Sequence, residues 1–151
     1  MNNFRICDTH NDFLTELDCN EIQQYLNYCE KQNVYSICSS YWTTKKKKKE
    51  IKSELYLKSE FLEKINRNYL LHIEDLWWVQ NEKDLQFLLK LKPFSCSLTW
   101  NEENSLAGGT NSSKGLTQWG KYILLNLLKE GVVVDVAHLN RKSFWQVTKY
   151  I

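Results

Sequence analysis

The sequence predicts an α/β protein built on a parallel sheet, and three observations carry that expectation. Short apolar runs alternate with segments of helical period, giving β-α repeated five times. The central strand candidates are continuous apolar runs rather than alternating ones, as in parallel sheets covered on both faces. The polar residues capable of chemistry fall at the C-terminal ends of those runs, the edge where parallel α/β folds build their sites.

Composition sets the bounds. The chain has 151 residues, 42% apolar and 25% charged, which is globular and enough for one domain with a real core. A net charge of +2 creates no field that favours nucleic acid or an anionic membrane, so neither is an expected partner. No run approaches the ~20 apolar residues of a membrane span, and no apolar segment of signal-peptide type follows Met1–Arg5. The cysteines at 7, 19, 29, 38 and 96 form no Cys-x-x-Cys, so a reducing cytoplasm is the expected compartment. One proline and five glycines imply long elements.

The first strand is expected at residues 4–10. Asp18 with Glu21 forms a capping box and opens a helix carrying Ile22, Tyr25, Leu26 and Cys29. Val34 to Trp42, β-branched and aromatic, reads as the second strand. Lys45 to Lys49 reads as a solvated loop or a frayed helix start. Glu50 to Asn66 is a helix with Ile51, Leu55, Leu62 and Ile65 on one face, and Tyr69 to Ile73 is the third strand. Asn81 and Asp84 open a helix that Pro93 stops. Phe94 to Thr99 is the fourth strand, and Trp100 to Gly115 a substantial polar loop. Thr117 caps the next helix, and Gly131 ends it in the left-handed conformation. Val132 to Val136 reads as a buried strand, and Asn140 caps a last helix with Phe144 and Val147 inward. The absence of a glycine-rich loop after the first strand argues against a dinucleotide-binding fold.

Asp8-Thr9-His10-Asn11-Asp12 follows the first strand run. By strand alternation residues 8, 10 and 12 share a face, so His10 and Asp12 project together as a nitrogen and an oxygen donor. Alone, such a pair is a weak signal. With Glu74 and His138, also at strand ends, it becomes a set of four metal-competent groups that would converge if the sheet curls into a barrel. A carboxylate between two such clusters can bridge two ions, a design for metal-assisted hydrolysis of an amide or ester. His72 reads as structural, as do Asp135 and the packing pair Trp77-Trp78. Asp8 is placed to orient an imidazole, and Asn104 with Gly108-Gly109 reads as loop construction.

These motifs resemble the membrane (renal) dipeptidase family of binuclear zinc hydrolases. Asp8 to Asp12 looks like its opening metal motif, and Ile73-Glu74 like its bridging-glutamate strand. Ser97 to Asn101, Glu103-Asn104, Leu106-Ala107 and Lys114 to Thr117, continued by Gly120-Lys121, resemble its long loop and helix entry. Val134 to Leu139 looks like the strand that ends in a zinc-ligand histidine. The resemblance implies a (β/α)8 TIM-type barrel, of which this chain would hold the N-terminal five β-α units. It implies two Zn2+ ions, a dipeptide substrate and hydrolysis by a metal-bridging hydroxide. Carried over by position, His10 and Asp12 hold one zinc, Glu74 bridges both and is the catalytic carboxylate, and His138 holds the other. Trp100 stands where some members have a substrate-contacting histidine, so it is the expected substrate-binding residue, without that histidine's oxyanion contact. Where the family often shows glycines after Glu74, this chain has Asp75-Leu76.

The family's remaining ligands and its substrate-carboxylate arginine would lie beyond Ile151, since a full barrel takes ~250 residues. The resemblance therefore implies a partial domain with open sheet edges, weak zinc binding, and slight or absent turnover when alone. Two alternatives stay open: a catalytically silent subunit needing a complementing half or a second copy, and another amidohydrolase-type hydrolase.

Overall fold

The computed structural model describes residues 4–43, 46–65 and 68–151. The chain forms two compact units, Met1–His72 and Ile73–Ile151. The first contains β1 (Ile6–Asn11), α1 (Phe13–Glu16), α2 (Cys19–Lys31), β2 (Val34–Tyr41), α3 (Lys48–Ile65) and all but the last residue of β3 (Tyr69–Ile73). The second contains a 3-10 turn (Leu76–Trp78), α4 (Glu82–Lys90), β4 (Ser95–Ser97), α5 (Gln118–Lys129), β5 (Val133–Asp135) and α6 (Arg141–Val147). This strand-helix alternation is that of the N-terminal five β-α units of a TIM-type barrel. Among the described residues no helix is long and apolar enough to cross a membrane.

In the first unit β1 lies parallel to β2, and β3 follows β2. The β1–β2 register advances three residues on β1 (Asp8 to Asn11) while β2 advances two (Ile37 to Ser39), a bulge within the Asp8–Asp12 segment. Asp18 opens α2 through a complete capping box with Glu21, and Ile22, Leu26 and Cys29 are buried. Helix α3 begins at Lys48 and buries Ile51, Leu55, Lys58 and Leu62. Of the predicted lysine loop and the predicted helix end, Lys45 and Asn66 lie outside the described residues.

Lys58 is the unexpected member of that buried face. A lysine is placed there only with partners for its ammonium. Its Nζ donates to the Leu14 carbonyl of α1 and lies 3.1 Å from Glu54 Oε1. Tyr41 donates its hydroxyl to Glu54 Oε2 at 2.9 Å, and Lys46 also reaches that carboxylate. The cluster ties α3 to the one-turn helix that follows Asp12.

In the second unit β4 and β5 pair in parallel, Ser95 with Val133 through Ser97 with Asp135. Asn81, Thr117 and Asn140 cap α4, α5 and α6 by accepting from the backbone N–H of Asp84, Gly120 and Ser143. Gly131 ends α5 at φ 74, as its position predicts. Three expectations are corrected. The fourth strand is Ser95–Ser97 rather than 94–99. The fifth is not buried, Val133 being 49% exposed. Helix α1 and the 3-10 turn have no counterpart in the predicted elements, each being too short to show a periodic pattern.

Candidate metal centre

In the first unit the structure brings His10 and Asp12 together, with His10 Nε2 at 3.3 Å from Asp12 Oδ1. Both side chains are about half exposed. Strand alternation does not explain the pairing, because the bulge interrupts it. Asp12 has left the strand and sits at the N-cap of α1 (φ −83, ψ 8), where its carbonyl accepts from Thr15 at 2.8 Å. Asp8 does not orient an imidazole by its carboxylate. Its oxygens accept instead from the His10 backbone N–H at 3.2 Å and the Asn11 amide at 2.8 Å, which shapes the motif's backbone. His72 is buried, with its ring centroid 5.4 Å from that of His10, so it packs beside the motif.

Helix α1 is held from two sides. Besides the Lys58 contact to Leu14, Thr15 Oγ1 accepts from the Trp42 backbone N–H at 2.9 Å, just past β2. Asp12 therefore projects from a turn whose position is set by α3 and by the end of β2.

In the second unit Glu74 and His138 meet. Glu74, directly after β3, is 5% exposed, and its Oε1 lies 2.9 Å from His138 Nε2. His138 leaves β5 in the left-handed region, at φ 65. Its other ring nitrogen, Nδ1, lies 2.9 Å from Asn101 Oδ1. The Trp100 ring centroid is 6.1 Å from the imidazole, so the residue expected to touch substrate borders this pair.

Asp75 explains the departure after Glu74. It takes φ 60, a conformation natural to glycine and tolerated by aspartate. Its buried carboxylate accepts from Asn104 Nδ2 at 2.9 Å. Burial pushes this carboxyl above the ordinary carboxylate range, against the hydrogen bonds from Asn104 and the backbone of Trp77 and Trp100.

The loop from Trp100 to Thr117 is built rather than loose. Asn104 Nδ2 also donates to the Leu98 carbonyl at 2.7 Å, and its Oδ1 accepts from Leu106 and Ala107 at 2.7 and 3.2 Å. A Cβ on Gly109 would lie 2.1 Å from the Trp100 carbonyl, and one on Gly108 would lie 2.3 Å from that of Lys114. Asn140 Nδ2 donates to the carbonyls of Ser112 and Lys114, both at 2.7 Å, and the Gly108 N–H donates to Ser143 Oγ at 3.1 Å. Asn104 and the glycine pair thus serve as loop construction, as expected.

A buried carboxylate and a half-buried imidazole fit a divalent ion here. A carboxylate oxygen and an imidazole nitrogen face each other, and the imidazole's far nitrogen is held by an oxygen acceptor, the usual arrangement of a metal-bound histidine. An imidazole and a carboxylate are donors suited to zinc or a similar borderline ion. The sequence places Asn101 in the polar loop after the fourth strand and assigns it no role of its own. Its contact with His138 spans 37 positions and has no local signal.

Comparison with known proteins bears on the fold and the family. The fold resembles a metallopeptidase from Rhodobacter sphaeroides, solved with a phosphinate mimic of the dipeptide L-Ala-D-Ala, with a TM-score of 0.75 and 14% identity over 97% of this chain and 62% of that one. It also resembles an amidohydrolase from Pseudomonas aeruginosa, with a TM-score of 0.73 and 11% identity over 95% of this chain and 49% of that one. The chain thus spans less than two thirds of the length of either. No curated protein matches it. The family model for membrane dipeptidase (peptidase family M19) matches residues 57–150, more than half of the chain and including Glu74, Asn101 and His138. The chain belongs to the membrane dipeptidase family.

Proposed function

We propose that this chain is the metal-binding N-terminal part of a zinc-dependent dipeptidase that hydrolyses the peptide bond of dipeptides. The observation that carries the reading is the pairing of buried Glu74 with His138 inside the region matched by the family model. In this reading His10 and Asp12 hold one ion, Glu74 is shared between two, and His138 holds the second. When bound, the two ions supply a water of lowered pKa and polarise the scissile carbonyl. The protein's own residues orient the donors. Asp12 is presented by α1, Glu74 is desolvated at the end of β3, and Trp100 offers an aromatic wall beside His138 for the substrate. The proposed compartment is the cytoplasm.

The test is zinc titration of the purified chain by calorimetry, alongside dipeptide hydrolysis with and without a chelator. Zinc should bind, and Glu74→Gln should weaken binding by at least about tenfold. Hydrolysis should be lost with chelator and in Glu74→Gln. A chain that takes up no zinc, or hydrolysis indifferent to the chelator, would refute the proposal.

A further inference from the structure

We infer that Asn101 is a positioning residue for the proposed metal centre: its side-chain oxygen holds the proton on His138 Nδ1, so that Nε2 is the nitrogen presented beside Glu74. The inference rests on the zinc reading above and adds to it a residue that acts through His138. A neutral imidazole carries one N–H and one lone pair, and the partner of one nitrogen decides the role of the other. An amide oxygen 2.9 Å from Nδ1 favours a proton on that nitrogen, and Nε2, 2.9 Å from Glu74 Oε1, is then the nitrogen whose lone pair an ion bound beside Glu74 would use.

The orientation of Asn101 is itself constrained. Thr110 Oγ1 donates to the same Oδ1 at 3.2 Å, so two donors converge on that oxygen. The Asn101 carbonyl accepts from the Asn111 N–H at 2.8 Å, which fixes the backbone on which the side chain stands. Gly109 and Leu139 form an antiparallel bridge, which couples this loop to the residue directly after His138. Acceptor and imidazole are thus carried on two segments joined beside the point of contact.

The experiment compares the wild type with Asn101→Leu, Asn101→Asp and Thr110→Val. Zinc affinity is read by calorimetry, and the protonation of each His138 ring nitrogen by long-range 1H–15N correlation, with and without zinc. Asn101→Leu removes the acceptor and should weaken zinc by about 10- to 100-fold. Asn101→Asp keeps an accepting oxygen and should retain affinity near the wild type. Thr110→Val removes one of the two partners of that oxygen and should weaken zinc, but by less than Asn101→Leu does. Nδ1 should carry the proton in the wild type and in Asn101→Asp, metal-free or loaded.

Wild-type affinity in a folded Asn101→Leu, loss of affinity in Asn101→Asp equal to that in Asn101→Leu, or an unprotonated Nδ1 in the wild type would overturn the assignment. If zinc binds and Nδ1 carries the proton while no dipeptide is hydrolysed, the dipeptidase reading fails and the role of Asn101 stands. If the wild type takes up no zinc, both fail as statements about a metal centre.

Discussion

Replacing Asn104 by alanine should loosen the loop that supports Asp75. One side chain makes four hydrogen bonds: to Asp75 Oδ1 at 2.9 Å, to the Leu98 carbonyl at 2.7 Å, and from the N–H groups of Leu106 and Ala107 at 2.7 and 3.2 Å. Each is worth about 0.5–1.5 kcal/mol net, and the site is only partly buried, so the loss comes to about 2–4 kcal/mol. At roughly 2–4 °C per kcal/mol for a chain of this size, Tm should fall by about 4–16 °C. Asn104→Asp is the sharper variant. It keeps the shape and the accepting oxygen, but it sets a second carboxylate against that of Asp75 and loses both donated bonds. Asn104→Asp should therefore be destabilised at least as much as Asn104→Ala at neutral pH. Thermal and urea unfolding of the three proteins, followed by circular dichroism, decides the matter. If Asn104→Asp is as stable as the wild type, the donor role assigned to Nδ2 is wrong.

Three further outcomes are expected. Gly120→Ala should destabilise by about 1–3 kcal/mol in urea titration although alanine is the better helix former, because its Cβ would lie 2.0 Å from the Leu106 carbonyl oxygen. Lys58→Met should cost roughly 3 kcal/mol by the same measurement, since it strips the Leu14 carbonyl and Glu54 of a buried partner. Burial alone would raise the Glu54 carboxyl, but hydrogen bonds from Lys46, Lys58 and Tyr41 outweigh it and hold the group below its ordinary value. With its folded pKa below the unfolded one, its stabilisation is complete above the unfolded value and is lost as pH falls through the folded value. Urea midpoints measured downward from about pH 6 should fall through that acidic window less steeply in Glu54→Gln than in the wild type.

Much of the fold was legible because its signals are local. The Asp18–Glu21 box, Asn81, Thr117 and Asn140 each bond to a backbone N–H within three residues, so spacing alone predicts them. The His10–Asp12 pair was also legible, but by an argument the structure replaces: a bulge breaks the alternation, and the N-cap turn of α1 brings the side chains together. Lys58 was not legible, because a lysine three positions after Leu55 on an amphipathic helix reads as a break in the apolar face until its partners on other elements are known. Nor was the role of Asn101, whose partner lies far along the chain. Asp75 was noticed as a departure from the family pattern, and its backbone angle supplies the reason it is tolerated.

The loop from Trp100 to Thr117 is pinned at close intervals by Asn104, Asn140 and Ser143. Its consequence is mechanical: beside Trp100 and His138 the chain presents a wall, not a lid. A segment with so many internal anchors opens only by breaking several at once, so its amides should exchange with solvent together and slowly. In the proposed dipeptidase, selectivity on this side would then come from exchanging the Trp100 side chain for another, and hardly at all from loop closure.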